Sequence, residues 1–157
     1  MLKEYIQVVS LLERLHRYFL ELVTLELDGF GIHDINNIQA LMLFNIGDAE
    51  MTTGELILRG CYLGSNVSYN VKKMIEYGYL AQKRSEHDRR SLRVQLTDKG
   101  RKLRDRLTLM HQRHVELLAQ TAITEDDLSA VTATLRRLEV LWISANHSMQ
   151  RPRQAAV

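Results

Sequence analysis

Residues Gly64 to Tyr77 read GSNVSYNVKKMIEY. At a helical period of about 100° per residue this stretch divides into two faces. Val67, Val71, Met74 and Ile75 fall on one side, the side that must be buried. Ser65, Asn66, Tyr69, Lys72 and Lys73 fall on the other, with Ser68 in the same run. These outer residues offer amides, hydroxyls, a phenol and two ammonium groups, and the first carboxylate is Glu76 in the last turn. A merely solvated helix mixes both charge signs. A helix meant for a DNA groove needs donors and acceptors for base edges and cations for phosphate, and this face supplies both.

The flanks extend the reading. Thr52 to Arg59 has the S/T-x-x-E spacing of a capping box in Thr52 and Glu55, with Leu56 and Ile57 opening an apolar face. A turn with Gly60, Cys61 and Gly64 follows, giving helix, turn, helix. Gly78 is placed to end the second helix in a left-handed conformation. Tyr79 to Arg84 and Leu92 to Leu96 then read as strands, the second alternating Leu92, Val94 and Leu96 inward with Arg93 and Gln95 outward. The charged run SEHDRRS lies between them as a hairpin tip. Helix-turn-helix followed by a two-stranded hairpin is a winged helix.

With TTGEL, SNVSYNVKKM, EYGYL and the run DRRSLRVQLTDKG in place, the sequence resembles the MarR family of bacterial transcription regulators. The last run is the most specific: it joins a D-x-R wing (Asp88, Arg89, Arg90) to an L-T-x-K-G exit into a long helix. The turn GCYLGS departs from the L-G-L-S type common in that family. The resemblance covers nearly the whole chain. It implies a mostly α fold with a small β-hairpin wing, a winged helix-turn-helix flanked by long terminal dimerisation helices. It also implies a cytoplasmic repressor that binds double-stranded DNA as a homodimer. Ser65, Asn66, Ser68, Tyr69, Lys72, Lys73, Arg84, Asp88, Arg89 and Arg90 are the expected DNA contacts. Asp88 and Arg90, two apart on one strand face, are expected to pair, with Asp88 orienting the guanidinium.

Composition agrees. A chain of 157 residues suits one domain and buries about 68–70% of its unfolded surface. One cysteine rules out an intrachain disulfide and a multi-cysteine zinc site, and fits a reducing compartment. No apolar run approaches the roughly 18 residues of a membrane span, and MLKEYIQ has no signal-peptide pattern. The net charge of +2 is unevenly placed: Lys72 to Arg106 carries +7 and the remainder −5. A basic region that coincides with the recognition helix and wing is a footprint for phosphate. Arg101, Lys102, Arg104 and Arg106 have the alternative reading of cations that solvate a helix.

Along the chain, residues 4 to 27 read as a helix with Val8 or Val9, Leu12, Leu15, Phe19, Leu22 and Val23 at helical spacing. Asp34 is a candidate N-cap for a second helix that ends at Gly47. Thr97 can cap a helix to about Gln120 with the seam Leu103, Leu107, Met110, His114 and Leu117. Thr124, with Asp127 three residues on, opens a last helix with Leu128, Val131, Leu135, Leu138, Trp142 and Ala145 in its seam. Residues 1–33 and 98–148 thus read as dimerisation helices, 34–97 as the winged core, and 149–157 as a disordered tail, all in one domain. The terminal seams suit packing against a second chain, as in the family; packing within one chain is the alternative.

No catalytic constellation is present: G-x-S-x-G, the Walker lysine motif and H-E-x-x-H are all missing, so an enzyme is not expected, nor any cofactor. A winged helix used only for protein–protein contact is the alternative function. Cys61 raises a redox-responsive regulator and His16, His33, His111 and His114 a zinc-responsive one, although a small turn residue and hydrogen-bonded core histidines explain the same positions. The resemblance implies a cleft for a small aromatic or anionic effector, with His16, Phe19, Met42, Met110 and His114 as candidate lining; each is equally explicable as core.

Overall fold

The computed structural model describes residues 1–60, 64–84 and 92–150. Two compact units divide the chain, Met1–Gln112 and Arg113–Val157. The first contains α1 (Leu2–Gly29), α2 (Asn37–Ile46), β1 (Met51–Thr52), α3 (Thr53–Gly60), α4 (Gly64–Glu76), β2 (Leu80–Arg84), β3 (Leu92–Leu96) and most of α5 (Asp98–Leu118). The second contains the end of α5 and α6 (Glu125–Gln150). The fold is mostly α with a small antiparallel sheet, as the sequence pattern led us to expect.

Most helix starts follow from side-chain caps. Thr52 Oγ1 accepts from Glu55 N at 3.1 Å, and the Glu55 carboxylate accepts from Thr52 N at 2.6 Å, closing the box that starts α3. Thr97 Oγ1 accepts from Gly100 N at 3.1 Å before α5. Thr124 and Asp127 form the same reciprocal pair before α6. Each such cap satisfies backbone N–H groups that the first turn leaves unpaired. For α2 the expected cap is corrected. Asn36, not Asp34, accepts from Gln39 N at 2.9 Å, and Gln39 Oε1 accepts from Asn36 N at 3.0 Å. Asp34 is engaged elsewhere, as described below.

The sheet has three strands in the order β1-β3-β2. β2 and β3 form the hairpin, from Leu80 opposite Leu96 to Arg84 opposite Leu92. The short β1, which the sequence pattern did not reveal, pairs Met51 with Val94 and Thr52 with Arg93. Tyr79, read from the sequence as the first strand residue, instead precedes β2 and is buried.

Among the described residues the buried core lies in the first unit. Ile46, Leu56, Val67, Met74, Val94, Leu103 and Leu107 are among its almost fully buried side chains. Each such side chain contributes about 1.5–3 kcal/mol relative to exposure. From Arg113 to Asn146, by contrast, every side chain is at least partly exposed. Helix α6 runs to Gln150, into the first residues of the tail expected at 149–157; residues 151–157 lie outside the described residues.

Candidate nucleic-acid interface

Helix α4 buries Val67, Val71 and Met74, so the opposite side must face outward. Asn66, Ser68 and Lys72 are exposed, and Tyr69 is 62% exposed. Ser65 lies in the first turn, its side chain outside the described residues. The helix ends in a Schellman turn: Gly78 N–H donates to the Ile75 carbonyl at 3.0 Å and Tyr79 N–H to that of Met74 at 2.9 Å, with Gly78 at φ 76°. A positive φ there suits glycine because it has no Cβ to clash.

Lys73 is less free than the sequence suggested. Its Nζ donates to Glu76 at 2.8 Å and lies 5.8 Å from the Tyr77 ring. The hydrogen bond to Glu76 raises the Lys73 pKa, and the same bond lowers that of Glu76. The last-turn carboxylate is thus bound to one of the face's two ammonium groups. Among the described residues Lys72 forms no ion pair, although its charge also helps to lower the Glu76 pKa.

Behind the exposed face lies a set of polar contacts that the sequence reading missed. Asn70, 9% exposed, accepts from Gln39 Nε2 at 3.1 Å; Gln39 is 5% exposed. Asn37 Nδ2 donates to the Leu20 carbonyl at 3.1 Å and to Thr24 Oγ1 at 3.0 Å, tying α2 to α1. Just past α4, the Tyr79 phenol donates to Asp34 Oδ1 at 2.8 Å, and Lys99 Nζ donates to Asp34 Oδ2 at 2.8 Å. Lys99 also lies 4.0 Å from the centre of the Tyr79 ring. Burial, then the hydrogen bond to Asp34, pushes the phenol pKa well up. Burial also acts to raise the Asp34 carboxyl, but hydrogen bonds from Lys99 and Tyr79 outweigh it and the net shift is downward. The capping-box spacing of Asn36 and Gln39 was a usable signal in the sequence. The partners of Asp34 and Asn70, distant along the chain, were not.

Of the wing contacts, Asp88, Arg89 and Arg90 lie outside the described residues, as does the expected Asp88–Arg90 pair; Arg84 ends β2, and its side chain is likewise outside them. Toward the loop end of β2, Lys83 pairs with Glu50 at 3.2 Å. Beyond it, Arg101 pairs with Asp98 and donates to the Leu96 carbonyl at 2.8 Å. Arg104 pairs with Asp48 and, at 3.0 Å, with Asp105. Arg106 stacks 4.7 Å above the Phe30 ring. These three arginines therefore serve α5 and its neighbours, and the +7 count of the basic region overstates the charge left for phosphate.

The five effector candidates are placed differently within one chain. Met42 and Met110 are closed into the core at 0% and 1% exposure, Phe19 is half-buried and His16 is exposed; His114 belongs to the second unit. Instead His111 sits between two phenylalanines, 5.9 Å from the Phe19 ring and 5.0 Å from that of Phe44. Among the described residues no three His, Cys, Asp or Glu side chains gather as metal ligands, and no helix is long and apolar enough to cross a membrane. Cys61 lies outside them.

Residues 35–100 match the family model described as a winged helix DNA-binding domain. The exopolysaccharide II synthesis transcriptional activator ExpG of Rhizobium meliloti (strain 1021) is 36% identical over 141 residues, which cover 90% of this chain and 73% of ExpG. The fold is similar to that of Streptococcus pneumoniae FabT in complex with DNA, with a TM-score of 0.72, 22% identity and coverage of 90% of this chain and 99% of FabT. It is similar also to Staphylococcus aureus MarR in complex with salicylate and kanamycin, with a TM-score of 0.73, 20% identity and coverage of 90% and 94%. The chain belongs to the MarR family of winged-helix regulators: it is a transcriptional regulator with a DNA-binding domain, not an enzyme.

Proposed function

We propose that the chain is a homodimeric repressor that inserts one α4 into each of two major-groove half-sites of a pseudo-palindromic operator. The observation that carries this reading is the exposed row Asn66, Ser68, Tyr69 and Lys72 on a helix whose other side is fully committed to the core. Asn66 has the amide geometry for a bidentate contact to adenine, and Tyr69 can pack on a thymine methyl or reach a phosphate. Arg84, Asp88, Arg89 and Arg90 are assigned to the wing contact on the sequence pattern alone. Residues 34–97 form the DNA-binding part, and 1–33 with 98–148 the dimerisation part.

Dimerisation is supported by apolar surface that one chain leaves open: Leu11, Leu15, Leu22 and Leu25 on α1, and Leu128, Val131, Val140 and Leu141 on α6. Large apolar side chains exposed along a helix face mark interaction surfaces. Repression needs only a dimer that occludes a promoter, in the cytoplasm where the chromosome lies. Activation is the second reading, favoured by the name of the 36% identical relative. A reporter behind the chain's own upstream DNA separates the two: deleting the gene raises expression under repression and lowers it under activation. A small aromatic carboxylate is the proposed effector class, in keeping with the salicylate bound to the Staphylococcus aureus relative. Its candidate contacts shift to Phe19, Phe44 and His111, and salicylate titrated against the DNA complex should lower its affinity.

The deciding experiment is a mobility shift with the upstream DNA against a random duplex. A preference for the upstream DNA of about a thousandfold or more is expected of specific binding. Equal binding to both, or none, would leave a winged helix used for protein contacts.

A further inference from the structure

We infer that the buried Gln39–Asn70 hydrogen bond sets the rotation of α4 about its own axis, which makes both amides positioning residues for base readout. The inference rests on the proposed DNA-reading role of α4. On the helical wheel Asn70 stands between exposed Asn66 and buried Met74, about 40° from each. It lies one turn from Asn66 along the helix, at the border between the committed side and the reading side.

The apolar contacts of Val67, Val71 and Met74 are strong but non-directional, so they tolerate small rotations. A hydrogen bond does not. Turning a helix by about 20° moves a group at its side-chain radius by roughly 2 Å, beyond the reach of a bond formed at 3.1 Å. The same turn would swing Asn66 by a similar distance.

Gln39 can serve as the fixed reference because its own carboxamide is held. Its oxygen accepts from Asn36 N at 3.0 Å, which leaves the nitrogen pointing to Asn70. The start of α2 is in turn tied to α1 through Asn37, Leu20 and Thr24. A continuous polar chain thus runs from α1 through the cap of α2 to the middle of α4. Among the described residues every buried side-chain nitrogen and oxygen has a hydrogen-bond partner, so losing either amide would create an unsatisfied group. A leucine at position 70 would fill the same space with no such requirement. A buried polar pair that specifies register rather than adding stability is a known use of such groups.

The test compares Asn70→Leu, Gln39→Met and the double variant with the unaltered protein. Three measurements are made: affinity for duplexes that the unaltered chain enriches from a random-sequence library, affinity for the unselected library, and unfolding by urea. Both single variants should lose stability, since each strands one amide. The double variant should recover the part due to the stranded amides, because removing both partners of a buried hydrogen bond in near-isosteric form is close to neutral, and should keep only the loss of the capping bond from Asn36 N that Gln39→Met also removes. Its ratio of selected to unselected affinity should nonetheless stay down by about tenfold, with unselected affinity unchanged. A double variant whose ratio returns with its stability, to within about twofold of the unaltered chain, overturns the inference and leaves the pair a packing feature. Hydrogen exchange of α4 amides in the free protein gives a readout independent of DNA. Faster exchange in the double variant is expected, and unchanged exchange overturns the rotational lock. If the unaltered chain enriches no sequence, the DNA-reading role of α4 fails instead, and the exchange measurement still decides the lock.

Discussion

A Cβ on Gly100 would lie 2.3 Å from the Tyr79 carbonyl oxygen and 3.3 Å from the Leu96 side chain. The obstructing atom is backbone, which cannot swing aside. That oxygen also accepts from Thr97 N at 3.0 Å and from Thr97 Oγ1 at 3.1 Å, so moving it disturbs the entry to α5. Gly100→Ala should therefore lower the unfolding free energy by about 1–3 kcal/mol, measured by urea denaturation. The neighbouring Asp34 gives a pH signature. Its pKa in the fold lies below the ordinary carboxyl value of 3.8, so its contribution is present above about pH 4 and is lost as pH falls through the lowered value. Asp34→Asn should flatten that acid limb of stability. Tyr79 acts at the other end of the scale. Its pKa is raised above 10.0, so the stabilisation is full below about pH 10 and declines above it as the unfolded chain ionises first. Tyr79→Phe should remove the alkaline decline; urea midpoints across both ranges check the pair. The glycine was readable as part of LTDKG. Its reason was not, because the atom it must avoid lies 21 residues earlier in the chain.

At the scale of elements, the Lys73–Glu76 pair makes a prediction about charge. Glu76→Gln removes a carboxylate from the reading helix and releases the Lys73 ammonium. Affinity should rise for all DNA alike, and the slope of log K against log salt should steepen by about 0.9 if Lys73 then gains one phosphate contact. Asn66→Ala should behave differently, relaxing preference at one base pair by about 1–3 kcal/mol while leaving random-duplex affinity unchanged. Affinities over a salt series on both DNAs separate the two. Local patterns made α3, α4 and α6 legible, since Thr52 with Glu55, the apolar period from Val67 to Ile75, and Thr124 with Asp127 all lie within a turn or two of what they determine. The start of α2 was misread because Asp34 and Asn36 are equally good N-caps by composition. Partners 45 and 65 residues away, Tyr79 and Lys99, claim Asp34. Two-residue β1 has no period of its own and exists only because β3 lies beside it.

On the proposed dimer reading, the whole molecule depends on surfaces that a single chain leaves open. Helix α6 has no fully buried side chain over its described length, with Trp142 37% exposed and Val140 64% exposed. Its start and its Thr124–Asp127 cap were legible, while its end was placed too early; on the proposed reading, what covers its apolar positions is a second chain, which local patterns do not display. A chain ending at Ile123 should sediment as a monomer and bind operator DNA weakly, while residues 1–112 keep their core. A truncated chain that still sediments as a dimer of unchanged affinity would rule out α6 as the dimer element. Footprints of the intact protein should be two-fold, with half-site centres about 10 bp apart or a small multiple of that.

The strand order β1-β3-β2 also has a consequence for the order of events during synthesis. The middle strand is the last of the three to leave the ribosome, and Leu103, Leu107 and Met110, which finish the core, come later still. Until they emerge, Met51 and Leu80 have no β-neighbour and the buried side of α4 has an incomplete cover. Non-local pairings of this kind slow folding and leave apolar surface uncovered while they wait. A ribosome paused before Leu92 would hold a helix-turn-helix already translated but without its central strand. Nascent chains arrested there should be far more sensitive to protease than those arrested beyond Gln112.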